Sequence, residues 1–590
     1  MDPNTDGQTL SARQADDRAD RRLVDRLSAT EPFSTLSASD LQWLALGAEV
    51  LDIPAGWALF RRGDVARALY VLDVGRLAVE VDGDAGGPRQ IAQVGSGGVV
   101  GEIGALTGLP RSATVRALRD STVIRLPKER FFALVERDPS VSLAMLRATA
   151  HRLQTTVSPA NPHPIAASAL AFVPHPASPD GSGIASLVQC IADDMRQLGE
   201  RVATMGPSDA VTSVDVLHRL EGGNDRLLLW SDTGGTAWAQ RCVRHADRVI
   251  QVLTQNPGRM RPPRQPTEHS ATAQRHSPPA DLMVVGPAGR TRHWTLTGWA
   301  GPYDQSETHH IDPAAPDDRT SLVRRLTGRA IGLVLSGGGA RGFAHIGAYR
   351  ALVEAGVPID RVGGASIGSL IGAGIALGWD PDALEARFRT GFVDDNPLTD
   401  YTVPRRALLR GRKARLMLRG AFGDIKIEQM RRPFFAIAAD LGSGRSVVMD
   451  AGPLVPALLA SSAIPGLLPP IEIDRRVLCD GAVVDTLPVS TMRRAPSGGP
   501  VIAIDVNGEA DRGSAGLDLA SLGIMGVLMR AGTAGSLASA PAARAAADLA
   551  VIPSVGRTEI RDWKAFPRLV ESGYQAMKAA LAEGVAERFV

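Results

Sequence analysis

Cysteine is scarce: Cys190, Cys242 and Cys479 are the three in 590 residues, isolated and odd in number. Neither a disulfide framework nor a thiolate zinc site fits that spacing, whereas a reducing, cytoplasmic setting does. Charge of one sign is lacking too, since 65 Lys and Arg face 63 Asp and Glu for a formal net charge of +2. No whole-chain attraction to nucleic acid is expected, and any contact with anions must be local. The N-terminus, MDPNTDGQTLSARQADDRADRR, has no apolar core of the kind a secretion signal needs. No long apolar run is free of breakers: Ala451 to Ile471 comes nearest, and prolines 453, 456, 465, 469 and 470 suit a buried helix and loop better than a membrane span. Histidine is missing from the whole chain after His345.

The length calls for roughly three or four domains. Residues 1–31 read as a flexible tail with a short amphipathic stretch around Arg22 to Leu27. From Leu36-Ser37 a capped helix start is followed by short β-like runs (Glu49 to Ile53, Ala58 to Phe60, Ala68 to Leu72, Arg76 to Val81) punctuated by glycine, as in a small β-barrel or jelly roll. Gly101-Glu102-Ile103-Gly104 and Arg111-Ser112-Ala113-Thr114 then supply open backbone N–H groups, a carboxylate for a ribose hydroxyl and a guanidinium for a phosphate. This resembles the phosphate-binding cassette of cyclic-nucleotide-binding domains. The resemblance implies such a domain over residues 32–155, with Gly101, Glu102, Arg111, Ser112 and Thr114 at the ligand, Glu102 on the ribose and Arg111 on the cyclic phosphate. Either cAMP or cGMP is admitted as a regulator. Helices are expected over Lys128 to Val135 and Val141 to Leu153.

Residues 165–300 alternate apolar runs (Ala169 to Val173, Leu227 to Trp230, Leu282 to Val285) with helix-like stretches (Ile184 to Leu198, Trp238 to Leu253), the pattern of a small α/β unit. Arg226 to Asp232 followed by Ala246 to Ile250 resembles part of a nucleoside-triphosphatase sheet, but the phosphate loop G-x-x-x-x-G-K-[ST] is absent. A structural or regulatory role is expected. Asn256 to Ala280 reads as a loop, and His269, His276, His293, His309 and His310 lack metal-ligand spacing and are expected to be exposed loop residues. No metal is predicted.

The chemistry is concentrated in Ile331 to Leu370. A β-type run ends in Gly337-Gly338-Gly339-Ala340-Arg341-Gly342, and an expected helix leads on to Gly364-Ala365-Ser366-Ile367-Gly368, which fits the G-x-S-x-G elbow that lifts a serine from a strand end. The first turn also satisfies G-x-G-x-x-G, which leaves open a dinucleotide site with Asp360 as its acid. Contiguous glycines suit an oxyanion better, because their N–H groups converge without side-chain obstruction. A hydrolase order of Ser, acid, His is impossible with no histidine after His345. A carboxylate acting directly on the serine is the substitute, and Asp480, in Val477-Leu478-Cys479-Asp480-Gly481-Ala482, closes an apolar run where burial would raise its pKa.

Taken in order, G-G-G-x-R-G, G-x-S-x-G and D-G-A look like the patatin-like phospholipase family, over core motifs 333–493 of a domain at 328–590. With the upstream cassette, the chain resembles that family's neuropathy target esterase branch. The resemblance implies Ser366 as nucleophile, Asp480 as proton acceptor, and Gly337, Gly338, Gly339, Arg341 and Gly342 as oxyanion turn, with Gly364, Gly368, Gly481 and Ala482 supporting. It implies hydrolysis of phospholipid or lysophospholipid esters without a catalytic cofactor. One cassette is present where animal members carry several, and their N-terminal membrane segment is not seen, so contact with the inner face of a membrane is expected to be peripheral. Arg405, Arg406, Arg410, Arg412, Lys413, Arg415 and Arg419, interleaved with leucines, form a basic amphipathic stretch suited to anionic lipid. Two other functions fit the motifs: a nucleotide sensor with an inactive lipase scaffold, and a broad esterase or thioesterase. The expected fold is therefore multidomain: β-barrel, middle α/β unit, patatin-like α/β domain.

Overall fold

The computed structural model describes residues 23–137, 168–254, 280–286, 305–508 and 524–589, apart from 29, 31–32, 35, 83–87, 177, 179–180, 211–213, 496, 557 and 583–584. The chain divides into two compact units, built mainly from residues 1–252 and 306–590.

In the first unit, Ser37 caps α1 (Ala38–Ala45) by accepting from the Asp40 N–H. Strands β1 (Glu49–Ile53), β2 (Ala58–Phe60), β3 (Ala68–Val74), β4 (Leu77–Asp82), β5 (Pro88–Val94) and β6 (Val99–Val100) lead to α2 (Glu102–Thr107), and β7 (Thr114–Ala117), β8 (Ser121–Pro127) and α3 (Lys128–Arg137) follow. They form two antiparallel sheets, β1-β8-β3-β6 and β2-β7-β4-β5. Leu72, Leu77, Val94, Val115 and Val123 make one apolar cluster between them, each side chain contributing about 1.5–3 kcal/mol by burial. The stretch read as a tail is partly drawn into this unit: residues 23–28 are helical, and Leu23 and Leu27, four apart on one face, are buried with Phe33, Leu69 and Phe131.

Parallel strands then alternate with helices: β9 (Ala169–Pro174), α4 (Ile184–Gln197), β10 (Val202–Met205), α5 (Val214–Gly223), β11 (Arg226–Trp230), α6 (Ala237–His245) and β12 (Arg248–Leu253), in the sheet order β10-β11-β9-β12. The stretch from Trp238 to Leu253, expected as one helix, breaks at Ala246. Its second half, Arg-Val-Ile-Gln-Val-Leu, is buried throughout and belongs in a sheet covered on both faces. Arg119, in the turn between β7 and β8, is 1% exposed and pairs with Glu221 of α5 and, at 2.7 Å, with Asp247. Arg76 joins Asp247 at 3.1 Å, and His245 Nε2 lies 3.1 Å from Glu221. Burial alone would raise the Glu221 carboxyl, but hydrogen bonds from His245 and Arg119 hold it well below the usual carboxylate range.

After β13 (Ala280–Val285), β14 (Gln305–Ile311) carries His309 and His310. Both are buried, contrary to the exposed-loop expectation, and His310 Nε2 lies 2.7 Å from the Glu428 carbonyl. His269, His276, His293 and the segment Val141 to Leu153 lie outside the described residues. In the second unit α7 (Pro316–Leu326), β15 (Gly332–Leu335), α8 (Ala344–Glu354), β16 (Arg361–Ala365), α9 (Ile367–Leu377), α10 (Pro381–Phe388), α11 (Arg412–Phe422), β17 (Phe434–Asp440), β18 (Ser446–Met449) and α12 (Leu454–Ser461) come first. Then follow β19 (Ile471–Ile473), β20 (Arg476–Asp480), α13 (Val489–Arg493), β21 (Val501–Ile504), α14 (Ile524–Ala545), β22 (Leu549–Val551) and α15 (Phe566–Ala580). The sheet order is β19-β20-β17-β16-β15-β21-β22, with β18 beside β17. The centre, β17-β16-β15-β21, is parallel, and β20 joins β17 antiparallel, pairing Ala438 with Asp480. That reversal puts the C-terminal end of β20 one strand away from the exit of β16, where Ser366 sits. The proline-rich stretch from Ala451 is α12 and a loop, as its prolines require.

Candidate active site

Ser366 occupies the single residue between β16 and α9, with φ +52° and ψ −127°, a backbone state that glycine adopts freely and serine does not. The turn is held because glycines stand two residues to either side of the serine. A Cβ on Gly364 would lie 2.7 Å from the Leu335 carbonyl oxygen, and one on Gly368 would lie 2.3 Å from it. The Ser366 N–H donates to Ser461 Oγ (3.1 Å), which in turn donates to the Ile437 carbonyl of β17 (2.6 Å).

The Ser366 hydroxyl donates to Asp480 Oδ2 at 2.7 Å across 114 residues of chain. Asp480 Oδ1 accepts from the Ala482 N–H (2.9 Å), and the Asp480 N–H donates to the Ala463 carbonyl. Burial pushes the Asp480 carboxyl up to about 6 against the opposing pull of the Ser366 and Ala482 hydrogen bonds. Gly481 lets the strand end approach β17, since a Cβ there would meet the Ile437 carbonyl oxygen at 2.1 Å.

The glycine turn lies beside the serine: a Cβ on Gly337 would be 3.4 Å from Ser366 Cβ and 2.9 Å from Ala482 Cβ. Its N–H groups are not equivalent. That of Gly337 donates to the Thr486 carbonyl and that of Ala340 to the Ile560 carbonyl, so Gly337 contributes space rather than a donor. The N–H groups of Gly338 and Gly339 have no protein acceptor among the described residues. Arg341 Nε donates to the Gly338 carbonyl (3.2 Å), and Gly342 packs on Ile367. Asn507 Nδ2 donates to the Gly337 carbonyl (2.7 Å), and His345 Nε2 lies 2.9 Å from the Ser336 carbonyl. Burial lowers His345 to about 4, so its ring is neutral and props the turn from behind. Ser461, Thr486, Asn507 and Ile560 have no motif of their own; only Ser461 fell within a segment singled out from sequence. Asp360 is 1% exposed and committed to an ion pair, accepting two hydrogen bonds from Arg324 and one from the Ile331 N–H, which counts against it as a ribose acceptor and against the dinucleotide reading.

In the first unit, Glu102 and Arg111 line one pocket with Phe60, Ile91, Gly101 and Ala113. Arg111 is 4% exposed, its Nη1 donates to the Gly101 carbonyl and its Nη2 to the Ala68 carbonyl, and its guanidinium lies 4.1 Å over the Phe60 ring. Its buried Nε has no protein partner. Gly101, at φ +79°, is required for this approach, since a Cβ there would be 2.3 Å from Arg111 Nη1. Ser112 is exposed, and Thr114 Oγ1 accepts from the Arg62 N–H rather than standing free.

A serine elbow against a buried aspartate and a glycine turn, on a chain with a nucleotide-cassette barrel, defines a patatin-type hydrolase. The patatin-like phospholipase family matches residues 333–493, and the cyclic nucleotide-binding domain family matches residues 50–138. An uncharacterized NTE family protein of Mycobacterium tuberculosis (strain CDC 1551 / Oshkosh) is 33% identical over 83% of this chain and 82% of its own. Patatin-like phospholipase domain-containing protein 6 of Mus musculus is 30% identical over 82% of this chain, which spans 40% of that relative. Neuropathy target esterase sws of Drosophila melanogaster is 28% identical over 78% of this chain and 36% of its own. The chain belongs to the NTE (neuropathy target esterase) family of patatin-like phospholipases. It is an esterase of the phospholipase type with a cyclic nucleotide-binding domain. Among the described residues no helix is long and apolar enough to cross a membrane.

Proposed function

We propose that this protein hydrolyses the carboxylic esters of phospholipids or lysophospholipids through a Ser366–Asp480 dyad. The observation that carries the reading is the 2.7 Å hydrogen bond from the Ser366 hydroxyl to a buried carboxylate raised to about 6. Such a group is mostly ionised at neutral pH, yet is a stronger base than an exposed aspartate. Ser366 Oγ attacks the acyl carbonyl carbon as its proton passes to Asp480. The developing oxyanion is met by the Gly338 and Gly339 N–H groups, with Arg341 holding the turn's shape. Collapse expels the alcohol, which takes the proton from Asp480 and leaves an acyl-serine. Water, deprotonated by the same carboxylate, then releases the fatty acid and restores the dyad. The geometry supports acyl transfer; the lipid substrate rests on family membership.

The pocket at Glu102 and Arg111 supports binding of cAMP or cGMP as a regulator. The Arg111 guanidinium lines the pocket as a cation for phosphate, and the Glu102 carboxylate is an acceptor for a ribose hydroxyl. One experiment tests the whole reading: hydrolysis of a panel of phospholipids and lysophospholipids, with and without each nucleotide, alongside fluorophosphonate labelling. Labelling that is lost in Ser366→Ala, with lipid turnover, is expected. An unlabelled, folded wild-type protein would instead favour a nucleotide sensor on a lipase scaffold, and turnover confined to thioesters or short esters would exclude the lipid substrate.

A further inference from the structure

Between β16–α9 and β17, residues 401–419 hold seven arginines and lysines and no acidic residue, in a chain whose net charge over its full length is only +2. All seven (Arg405, Arg406, Arg410, Arg412, Lys413, Arg415 and Arg419) are exposed. Large apolar side chains are exposed among them: Tyr401 at 58%, Val403 at 77% and Leu416 at 69%. On α11 the inward face is Ala414, Leu418 and Phe422, so Leu416 points away from the core. Arg412, four residues before it, and Arg419, three after, flank it on the same face.

The segment is tied to the hydrolytic site from two sides. The Leu408 and Leu409 N–H groups donate to the Gly466 and Leu467 carbonyls at 2.9 and 3.0 Å, on the loop whose Ala463 carbonyl accepts from the Asp480 N–H. From the other side, Arg561 donates to the Leu398 carbonyl and to the Tyr401 hydroxyl, both at 3.1 Å. The adjacent Ile560 carbonyl accepts from Ala340 in the glycine turn. The acids close by are already engaged: Asp400 accepts from the Arg412 and Lys413 N–H groups, and Asp424 pairs with Arg419 at 3.3 Å. Asp394 and Asp395 are exposed just before the segment and leave its net charge strongly positive.

We infer that residues 401–419 are a docking surface for the face of an anionic phospholipid bilayer, set at the mouth of the Ser366 site. Apolar tips within a ring of cations match the two layers of such an interface, with side chains such as Val403 and Leu416 entering the acyl boundary and guanidinium groups meeting phosphate. Docking there presents membrane lipid to the serine without a spanning helix. The inference rests on the lipid-hydrolase reading only for its purpose, and binding can be measured without turnover.

The full chain carrying Ser366→Ala, which cannot consume the lipid, is sedimented with vesicles of phosphatidylcholine alone and of phosphatidylcholine mixed with phosphatidylglycerol. Partition onto the anionic vesicles and weakening by high salt are expected. Each arginine near an anionic surface is worth about fivefold in partition, so Arg405→Gln, Arg406→Gln and Arg415→Gln together should weaken binding about a hundredfold. Val403→Ser with Leu416→Ser should weaken it without changing the salt dependence. Circular dichroism and, in the Ser366 background, fluorophosphonate labelling check the fold of both sets. Equal partition onto both vesicle types, undiminished binding by the triple variant, or no vesicle binding at all, as for a site that serves an acidic protein, would overturn the inference. Absence of labelling in the otherwise unsubstituted Ser366 protein, with intact vesicle binding, would sink the hydrolase reading and leave the docking surface standing.

Discussion

Replacing Asp480 by asparagine is expected to stabilise the second unit while abolishing hydrolysis. Asp480 is 2% exposed, and its carboxyl titrates at about 6 rather than near 3.8 because burial disfavours the charge more than the Ser366 and Ala482 hydrogen bonds favour it. At 1.36 kcal/mol per pH unit, that gap puts the cost of ionising Asp480 in the folded chain at roughly 3 kcal/mol. The folded value lies above the unfolded one, so the native state binds more protons between about pH 4 and pH 6, and this group's stability contribution is present below that window and lost as pH rises through it. Asp480→Asn removes the charge, while the amide oxygen can keep the 2.9 Å bond from the Ala482 N–H and the NH2 can donate to Ser366 Oγ. The variant should therefore exceed wild type by roughly 3 kcal/mol at about pH 8, on the order of 6 °C in the melting transition of this unit, and match it near pH 4. Asp485, also raised to about 6 by burial, titrates in the same window but is common to both proteins, so the difference isolates Asp480. Scanning calorimetry across pH supplies the measurement, with ester turnover in parallel falling about 10²–10⁴-fold for loss of the base. A variant less stable than wild type at pH 8, a pH-independent difference, or retained turnover would refute the argument.

The elbow strain can be isolated by comparing two inactive variants: Ser366→Gly should melt above Ser366→Ala by about 1 kcal/mol, because both lose the hydroxyl but only glycine relaxes φ +52°. Equal melting would show that the turn is not strained. Gly368→Ala should cost about 3 kcal/mol and reduce labelling of Ser366, as its Cβ would lie 2.3 and 2.6 Å from the Leu335 and Ser336 carbonyl oxygens. Arg119→Met should lower the stability of the first unit by about 3 kcal/mol in urea unfolding, since Glu221 and Asp247 would each lose one buried partner, leaving His245 and Arg76 alone against them. Arg201→Met, which removes an exposed pair with Asp225, should leave the unfolding midpoint unchanged, and a comparable loss there would count against burial as the cause.

What was legible in the sequence followed how local the physics is. The elbow, the glycine turn and the β20 acid announce themselves because each needs particular residue types at consecutive positions. Their meeting across 114 residues was readable only through the order of motifs, since nothing in Val477 to Ala482 records that β20 runs antiparallel beside β17. The props were not legible: Thr486, Asn507 and Ile560 act through one carbonyl or one amide each, and single polar contacts leave no periodic trace. Nor was the N–H of Gly337 known to be committed to Thr486, which narrows the oxyanion donors to Gly338 and Gly339. His309 and His310 misled because Gln-Ser-Glu-Thr-His-His-Ile has no apolar alternation, yet it pairs as a strand and buries its rings.

The density of glycine around the site has a single physical cause. A carboxylate becomes a useful base here only by being buried, and a serine reaches it only from a strand end turned at positive φ. Each condition costs stability, and each needs backbone where a side chain would ordinarily stand. Gly364 and Gly368 bring the elbow onto Leu335, Gly337 brings the turn to within contact of Ser366 and Ala482, and Gly481 brings the acid onto β17. Close packing of main chain against main chain excludes water from Asp480, which is what raises it to about 6. It follows that the acid's basicity is a property of these glycines as much as of its own position. Enlarging any of them should therefore shift the acid limb of the pH–rate profile toward lower pH, as water re-enters, before it unfolds the domain; a profile that loses amplitude without moving would place the base's tuning elsewhere.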